Sequence, residues 1–379
     1  MRIVQITTDS REHFKEYSRP YPYFGTAPEA LLAGFAELPE VEVHIICCLR
    51  RSVVATPKLA NNIHYHPLVV PKVGWMSSLY YGCSSRIREL CKSLRPDIVH
   101  GQGTERECAI TAVRSGFPNV VTIHGNVKEL HRLGMFGHGL YGPMASLFES
   151  EALRRTAGVF CNSDYTRSLV APRANRTWPL PNAIRTEFFQ PFTSSHKRDI
   201  PTFVVVGLIC PRKRQLELLR MVGEVVRSGR RMQVIFAGAL SGQTPYGAEF
   251  ALEMQKAEVE GYAMFAGFLN VQELVKLLDT SHAFLHFPSE ESFGLVVAEA
   301  MARGLKFFGA NLGGIVNIAS SIDGAELHDG FQSLQAGISR WLDEGAKAPT
   351  LAADEIARRY HPKVIAAEHL KIYREVLGR

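Results

Sequence analysis

Two glutamates, Glu291 and Glu299, lie in one segment of the sequence with seven residues between them. The segment, 287–304, begins where an apolar stretch typical of a buried strand ends. We predict an apolar helix from Gly294 to Gly304, where a glycine suits a left-handed cap. The first amides of a helix lack intrahelical partners, so a helix that follows the carboxyl end of a strand suits a bound phosphate. The segment therefore predicts a site for a phosphorylated ligand beside two carboxylates.

The spacing of the two glutamates favours one kind of carboxylate chemistry over another. Eight residues along a helix rise roughly 12 Å, whereas the paired carboxylates of a glycoside hydrolase lie about 5 to 9.5 Å apart. The spacing instead suits an elongated nucleotide diphosphate sugar, with one carboxylate on the ribose hydroxyls and the other facing the sugar. The alternative for Glu299 is an i, i+4 ion pair with Arg303.

Lys213 supplies the cation that such a ligand needs. It follows a predicted strand and Gly207, and a compact ammonium there would neutralise the charge that develops on a departing nucleoside diphosphate. The alternative is a solvated surface lysine between Arg212 and Arg214.

A second set of candidates lies in the first half of the chain. His124 ends a predicted strand and precedes Gly125, which favours a catalytic role at the edge of a sheet. His100 ends another strand and is the weaker candidate, since a lone histidine is usually a hydrogen-bonded structural residue. Gly25 lies between the first strand and the first helix, where a glycine lets the backbone approach a ligand closely, or simply makes a turn.

The elements that must position these residues repeat along the chain. Apolar runs of strand length alternate with helical patterns, first over 2–162 and again over 203–303. This alternation predicts the α/β class, with two doubly wound Rossmann-like domains that face a cleft at the carboxyl ends of their parallel strands. Prolines and a polar run over 179–201 mark the connection, so we predict domains at 1–190 and 191–379.

Composition narrows the class of protein further. Seven cysteines without a C-x-x-C pair predict buried thiols in a reducing compartment. A net charge of +6 over 379 residues suits an anionic ligand and is too diffuse to indicate nucleic-acid binding. The sequence opens directly on a strand pattern, and no apolar run is long enough to span a bilayer. We predict a cytoplasmic protein, with peripheral contact at the inner face of the membrane left open.

Two surface segments are candidates for acceptor or membrane contact. The segment 126–141, with His131, Phe136 and His138, predicts a flexible acceptor-side loop or an ordinary crossover loop. Four basic residues either face anionic lipid or form a solvated face: Arg50, Arg51, Lys58 and Lys72.

These motifs resemble the E-x7-E glycosyltransferases of family 4, which are retaining enzymes with the GT-B fold. The likeness extends over most of the chain and includes Pro181-Asn182-Ala183-Ile184, Gly207 to Lys213, Ala266 to Leu269 with Glu273-Leu274, and Gly313-Gly314. The resemblance implies an acceptor-side first domain, a donor-binding second domain, and a final helix, about 363–379, that packs back toward the first domain. It also implies hexosyl transfer with retention of configuration, without a metal or other cofactor.

The same resemblance assigns roles to individual residues. It implies that His124, Glu291 and Lys213 are catalytic and that Glu299 binds the ribose. The remaining implied donor-binding residues are Gly25, Gly207, Arg212, Gly267, Phe268, Leu274, Phe293, Gly294 and Leu295. The implied partners are a UDP- or GDP-sugar and an acceptor that is a glycan, a lipid-linked molecule or a small molecule.

The sequence also departs from the family pattern. Leu208 stands where the family has an arginine, and Arg212 or Arg214 is the candidate replacement. No Asp-x-Asp motif occurs, which argues against the metal-dependent alternative architecture. Two other interpretations remain open at this point: a nucleotide-sugar epimerase or hydrolase on the same fold, and a non-catalytic nucleotide-sugar-binding protein.

Overall fold

A computed structural model describes residues 1–134, 139–193 and 197–379 of the chain. Its strands, in chain order, are β1 (Arg2–Ile6), β2 (Glu42–Leu49), β3 (Lys58–Ala60), β4 (Ile63–Val69), β5 (Ile98–Gln102), β6 (Asn119–Ile123), β7 (Val159–Cys161), β8 (Thr177–Pro179), β9 (Thr202–Val206), β10 (Gln233–Ala237), β11 (Ala263–Gly267), β12 (Ala283–His286), β13 (Lys306–Ala310) and β14 (Ala325–His328).

The helices alternate with these strands. In chain order they are α1 (Ser10–Phe14), α2 (Thr26–Ala36), α3 (Tyr81–Leu94), α4 (Glu107–Val113), α5 (Val127–Arg132), α6 (Tyr141–Arg155), α7 (Asp164–Val170), α8 (Gln215–Arg227), α9 (Pro245–Val259), α10 (Val271–Asp279), α11 (Leu295–Ala302), α12 (Gly313–Ala319), α13 (Phe331–Asp343), α14 (Ala352–Tyr360) and α15 (Pro362–Val376).

The chain divides into two compact units. Unit 1 comprises Met1–Arg185 together with His361–Arg379, and unit 2 comprises Thr186–Tyr360. All seven cysteines lie within the described residues as free thiols, and six of them are buried in unit 1.

Unit 1 is built on a sheet with the strand order β3-β4-β2-β1-β5-β6-β7-β8. Neighbouring strands are parallel except for the antiparallel pair β3 and β4. Side chains alternate across the sheet, so Ile3 packs into one core with α2 and α15, whereas Val4 packs into another with α3 and α4. The chain order reverses between β1 and β5, and ligands of such sheets bind at the carboxyl ends of the strands at this reversal.

The helix α15 packs against α2 within unit 1. A Cβ atom at Gly34 would lie 2.2 Å from the carbonyl oxygen of Pro362, so the absence of a side chain lets the two backbones approach. Tyr373 lies with its hydroxyl 2.5 Å from Nδ1 of His100 on β5. These contacts tie the last helix to the sheet of unit 1.

Unit 2 has a fully parallel sheet with the order β11-β10-β9-β12-β13-β14. The reversal lies between β9 and β12, so the segments that follow these two strands border the expected ligand position. The predicted α/β class, with two Rossmann-like units and the GT-B fold, is confirmed.

One predicted loop is partly helical. Within 126–141 the structure forms α5, because Glu149 of α6 caps the start of this helix by accepting hydrogen bonds from the amides of Val127 (3.0 Å) and Lys128 (3.4 Å). The loop prediction is therefore wrong over 127–132, since the capping carboxylate lies on another helix. Phe136 and His138 lie outside the described residues.

Candidate active site

Three side chains meet at the carboxyl ends of β9 and β12. Nζ of Lys213 donates to Oε2 of Glu291, and Nε2 of His286 lies 3.1 Å from the same oxygen. The side chain of Lys213 is 14% exposed and that of Glu291 is 13% exposed. Lys213 is therefore held in place by Glu291, and the alternative of a solvated surface lysine is wrong.

The charge states within this cluster follow from burial and from the lysine. Burial alone would raise the pKa of Glu291, but the charge of Lys213 and the hydrogen bond from His286 hold that pKa well below its usual range. Burial lowers the pKa of His286 to about 4, and the charge of Lys213 acts in the same direction. At neutral pH the cluster therefore contains an ammonium, a carboxylate and a neutral imidazole that donates to the carboxylate.

The loop that carries Glu291 is fixed by the glycine pair at the start of α12. The amide of Gly314 donates to the carbonyl of Glu291 at 2.9 Å. A Cβ atom at Gly313 would lie 2.2 Å from that carbonyl oxygen, and one at Gly314 would lie 2.3 Å from the carbonyl oxygen of Ser292. This backbone contact explains why two glycines occur together.

The turn that carries Lys213 is joined to the same loop. The amide of Ser289 donates to the carbonyl of Arg212 at 2.8 Å, and Nη1 of Arg212 donates to the carbonyl of Glu290 at 2.9 Å. The turn that carries Lys213 and the loop that carries Glu291 are thus hydrogen-bonded to each other at this edge of the sheet, although they are distant in sequence.

The two motif glutamates do not lie on one helix. Helix α11 begins at Leu295, after Gly294 at φ 99°, and Glu291 lies in the turn before it. The estimate of roughly 12 Å between the two carboxylates assumed continuous helix and therefore does not apply. Glu299 lies on α11 and is 2% exposed. The first amides of α11, at Leu295 and Val296, have no intrahelical acceptor and suit an anion.

Arg303 is not the ion-pair partner of Glu299. Its Nε and Nη2 donate to the two carboxylate oxygens of Asp279, at 2.7 and 2.9 Å. Its Nη1 donates to the carbonyl of Gln190 at 2.5 Å. The i, i+4 alternative is therefore wrong.

The two arginines that are candidates to replace the one that the family pattern expects have partners of their own. Arg212 pairs with Glu290 at 3.3 Å, and Arg214 lies with its guanidinium 4.5 Å from the ring centre of Phe331. Leu208 is itself 57% exposed. Lys213 is the cation that the structure brings to Glu291.

Three glycines pack backbone to backbone at the ends of β9, β10 and β11. A Cβ atom at Gly238 would lie 1.9 Å from the carbonyl oxygen of Gly207, and the amide of Gly238 donates to the carbonyl of Gly267 at 2.7 Å. Beyond them, Phe268 is 79% exposed whereas Leu274 is buried. The turn predicted to bind the base therefore presents an exposed ring.

Two of the predicted donor-binding residues have evident packing or backbone roles. The ring of Phe293 is buried and lies 5.8 Å from the ring of Tyr360 on α14. Gly25 precedes α2 at φ 94°, a conformation that favours glycine. Gly25 belongs to unit 1, whereas the other predicted donor-binding residues belong to unit 2.

In unit 1, His124 lies at the end of β6 beside Gln102 and Glu105. Its Nε2 is 3.0 Å from Oε1 of Gln102, and Oε1 of Glu105 accepts from the amide of Gly125 at 2.8 Å. Burial lowers the pKa of His124 to about 4 and raises that of Glu105. His100, in contrast, is fully buried between Tyr373 and Thr122, which fits a structural role.

Sequence reasoning missed three of these residues: His286, Gln102 and Glu105. His286 is the last residue of the apolar strand β12, and His124, which the sequence singled out, directly follows β6. The pattern that could have predicted this site residue from the sequence is a polar residue at the end of a buried parallel strand.

Acid is expected to destabilise the fold between about pH 6.5 and pH 4. Burial lowers the pKa of His124, His286 and His369 to about 4 from the ordinary 6.5, so the unfolded chain binds more protons in this range. The contribution of these histidines to the free energy of unfolding is fully present above pH 6.5. It is lost as the pH falls, by up to about 1.4 kcal/mol per pH unit for each histidine.

Urea unfolding at pH 7.5, 6 and 5 measures this effect. His286→Asn should reduce the slope of stability against pH by about a quarter or less, because burial also lowers the pKa of His44, His124 and His369 to about 4 and lowers that of His100 further. An unfolding midpoint that stays constant from pH 7 to pH 5 would contradict the assignment.

Within 1–134, 139–193 and 197–379, no group of three or more His, Cys, Asp or Glu side chains is arranged to hold a metal ion. In the same ranges, no helix has the length and apolar character required to cross a bilayer.

Two family models match consecutive parts of the chain. The model for Glycosyltransferase Family 4 matches residues 29–188, and the model for Glycosyl transferases group 1 matches residues 187–355. The chain belongs to the family 4, group 1 glycosyltransferases. The second match contains Lys213, His286, Glu291 and Glu299, and the first contains His124.

Individual relatives of this glycosyltransferase are distant. The gpi3 subunit of phosphatidylinositol N-acetylglucosaminyltransferase from Schizosaccharomyces pombe is 23% identical over 291 residues, covering 73% of this chain and 60% of that protein, so the chain spans about three fifths of that relative. The 2-deoxystreptamine glucosyltransferase of Streptomyces kanamyceticus is 23% identical over 387 residues, covering 96% of this chain and 97% of that protein.

Among solved structures, HepE of Anabaena in complex with UDP-glucose has a similar fold. It gives a TM-score of 0.72 at 15% identity, covering 99% of this glycosyltransferase and 100% of that chain. At this identity the likeness concerns the fold alone.

Proposed function

We propose that this glycosyltransferase transfers a sugar from a UDP- or GDP-sugar bound on unit 2 to an acceptor held by unit 1. The observation that carries the proposal is the cluster of Lys213, Glu291 and His286 beside the first amides of α11. A nucleoside diphosphate is a poor leaving group unless its charge is stabilised, and an ammonium next to a helix N-terminus provides that stabilisation.

Each residue of the cluster has a distinct proposed role. Lys213 moves from Glu291 to the diphosphate when the donor binds, and Glu291 then accepts from hydroxyl groups of the donor sugar. Glu299, buried on α11, accepts from the ribose hydroxyls. His124, neutral at physiological pH, is the group on unit 1 that contacts the transferred sugar.

We further propose that transfer retains the anomeric configuration and needs no metal ion. The positive charge for the leaving group comes from Lys213 and from the amides of α11, which supports a reaction without a bound cation. The coupling constant of the anomeric proton in the product, compared with that in the donor, tests retention. Activity that persists in a chelator tests the second point, and activity restored only by Mg²⁺ or Mn²⁺ would contradict it.

Binding of the donor can be tested without knowing the acceptor. A thermal-shift screen of UDP-, GDP- and ADP-sugars should raise the melting temperature with one nucleotide, because a ligand at 100 times its Kd stabilises the fold by about 2.7 kcal/mol. Glu299→Ala should reduce this shift, whereas Glu249→Ala, at an exposed position of α9, should retain it. No shift with any nucleotide sugar would contradict the proposal.

His286 should affect turnover more than nucleotide binding. His286→Leu removes a hydrogen bond to an ionised carboxylate, which is worth about 1.5–3 kcal/mol, so kcat should fall by about tenfold or more. His286→Gln keeps an amide donor and should retain more activity. Nucleotide affinity should change little in either variant, and equal losses of affinity and kcat would show a merely structural role.

A further inference from the structure

A second charged cluster lies at the carboxyl edge of the sheet of unit 1, in the segments that follow four adjacent strands. Arg50 follows β2, Trp75 lies in the turns after β4, Glu12 lies on α1 after β1, and Arg106 and Glu107 follow β5. These strands are neighbours in the order β4-β2-β1-β5, and the reversal of the sheet lies between the last two. The cluster thus occupies the position where sheets of this kind bind ligands.

Two guanidinium groups of this cluster lie over one indole ring. The central carbon of Arg50 is 4.8 Å from the ring centre of Trp75, and that of Arg106 is 5.4 Å from it. The indole is 4% exposed and its Nε1 donates to the carbonyl of Val70 at 3.1 Å, so the ring is a fixed platform. Stacking on an aromatic face limits the freedom of both arginines.

Two buried carboxylates lie next to the arginines. Oε1 of Glu12 is 3.2 Å from Nη1 of Arg50, and Oε2 of Glu107 is 3.5 Å from Nε of Arg106. The carboxylates are 0% and 1% exposed, whereas the arginine side chains are 38% and 22% exposed. The hydroxyl of Tyr17 donates to Oε2 of Glu12 at 2.8 Å and holds this carboxylate in place. The acids are therefore sealed inside the fold while the cations reach solvent.

The arginines retain unused hydrogen-bonding capacity. Within the part of the chain that the structure describes, the guanidinium of Arg106 makes its ion pair with Glu107 and donates no hydrogen bond. The side chain of Arg50 makes an ion pair with Glu12, also without donating a hydrogen bond in the described ranges. Guanidinium N–H groups that reach solvent without a protein acceptor are available to a ligand, and their planar fork matches a phosphate oxygen pair.

Positive charge exceeds negative charge around the cluster. Arg51 lies with its guanidinium 5.7 Å from the ring centre of Tyr17, and Lys72 is exposed three residues before Trp75. Since both carboxylates are already paired, an approaching ligand meets mainly cations.

We propose that Arg50 and Arg106, aligned on Trp75, bind a phosphate group carried by the acceptor. This inference rests on the proposed function, because it assigns the acceptor of the same transfer reaction to a phosphorylated class. The phosphate belongs either to a soluble sugar phosphate or to the headgroup of a lipid, and both present the same oxygen atoms to the arginines.

The test uses the full chain saturated with UDP or GDP, whichever the donor site binds, so that phosphate does not bind at the donor site. Inorganic phosphate is titrated by calorimetry into the wild type, Arg50→Gln and Arg106→Gln. Arg86→Gln, at an exposed position of α3, is the matched control. Loss of one charge-assisted hydrogen-bonding group should weaken phosphate binding by about tenfold or more, with no change in the control.

A parallel experiment identifies the source of the phosphate. Cosedimentation with vesicles of phosphatidylcholine, with and without phosphatidylinositol, should depend on Arg50 and Arg106 if the acceptor is a lipid. If Arg106→Gln unfolds because Glu107 loses its partner, Arg106→Lys keeps the charge but not the fork and should still bind phosphate more weakly.

The outcomes separate this proposal from the proposed function. Phosphate binding or vesicle binding that depends on both arginines supports the site, with a soluble or a lipid acceptor respectively. If neither kind of binding changes in the Arg50 and Arg106 variants, the site is wrong. Failure of the wild type to bind either UDP or GDP would count against the donor site instead, because that measurement does not involve the two arginines.

Discussion

Replacing Lys213 with alanine should slow the release of nucleoside diphosphate from the donor by about 10²–10³-fold, the usual effect of losing one preorganised group that stabilises developing charge. The variant removes the cation that contacts Glu291 at the ends of β9 and β12. It also raises the pKa of Glu291, since the charge of Lys213 is a main cause of the lowered value. Rates measured by a coupled nucleotide assay with a mixture of acceptors give the effect directly.

An exposed lysine elsewhere in unit 2 provides the control for Lys213→Ala. Lys276, exposed on α10, should tolerate alanine without a change in rate. The double variant of Lys213 and Glu291 should lose less activity than the product of the two single losses, because the side chains contact each other. Wild-type turnover in Lys213→Ala would remove this residue from the mechanism.

The largest expected effect on stability comes from Asp279. This carboxylate accepts from two nitrogens of Arg303 and from both the amide and the hydroxyl of Thr193, at 2.6 to 2.9 Å. Because Arg303 is 2% exposed, Asp279→Ala leaves a buried guanidinium without its counter-ion, at a cost of about 3–5 kcal/mol in the free energy of unfolding. The melting temperature should fall by roughly 2–4 °C per kcal/mol.

An exposed pair of similar geometry provides the control. Asp343 accepts from two nitrogens of Arg230 at 3.0 and 2.8 Å, but its side chain is 57% exposed. Asp343→Ala should therefore cost only about 0–1 kcal/mol. Urea unfolding of the two variants measures the difference, and equal costs would show that Arg303 is not an isolated buried charge.

The fold was accessible from the sequence because it depends on local patterns. The apolar run of β9 and the amphipathic period of α10 are both readable within a few residues, and both lie in the second stretch of alternating patterns, 203–303. Their alternation over two halves of the chain then leaves few arrangements other than doubly wound parallel sheets.

The contacts within the candidate site were not accessible in the same way. Lys213 and Glu291 were each predicted as site residues, but their pairing joins positions 78 residues apart. His286 was not predicted because it belongs to an apolar strand, and only the folded chain shows that it lies within hydrogen-bonding distance of Glu291. Arg303 was matched to the nearest acid in sequence, whereas the folded chain pairs it with an acid 24 residues away. Side-chain partners of this kind depend on the register of strands and on turns that residue spacing does not specify.

The roles proposed for the motif residues can be tested together. The most direct measurement is the release of UDP or GDP from a nucleotide sugar, with mixed acceptors, by the wild type and by the triple variant Lys213→Ala, Glu291→Ala, Glu299→Ala. We expect turnover by the wild type and a loss of at least about 10³-fold in the triple variant, since leaving-group, sugar and ribose contacts are all removed. Undiminished sugar transfer by a folded triple variant would contradict the assignment of this site.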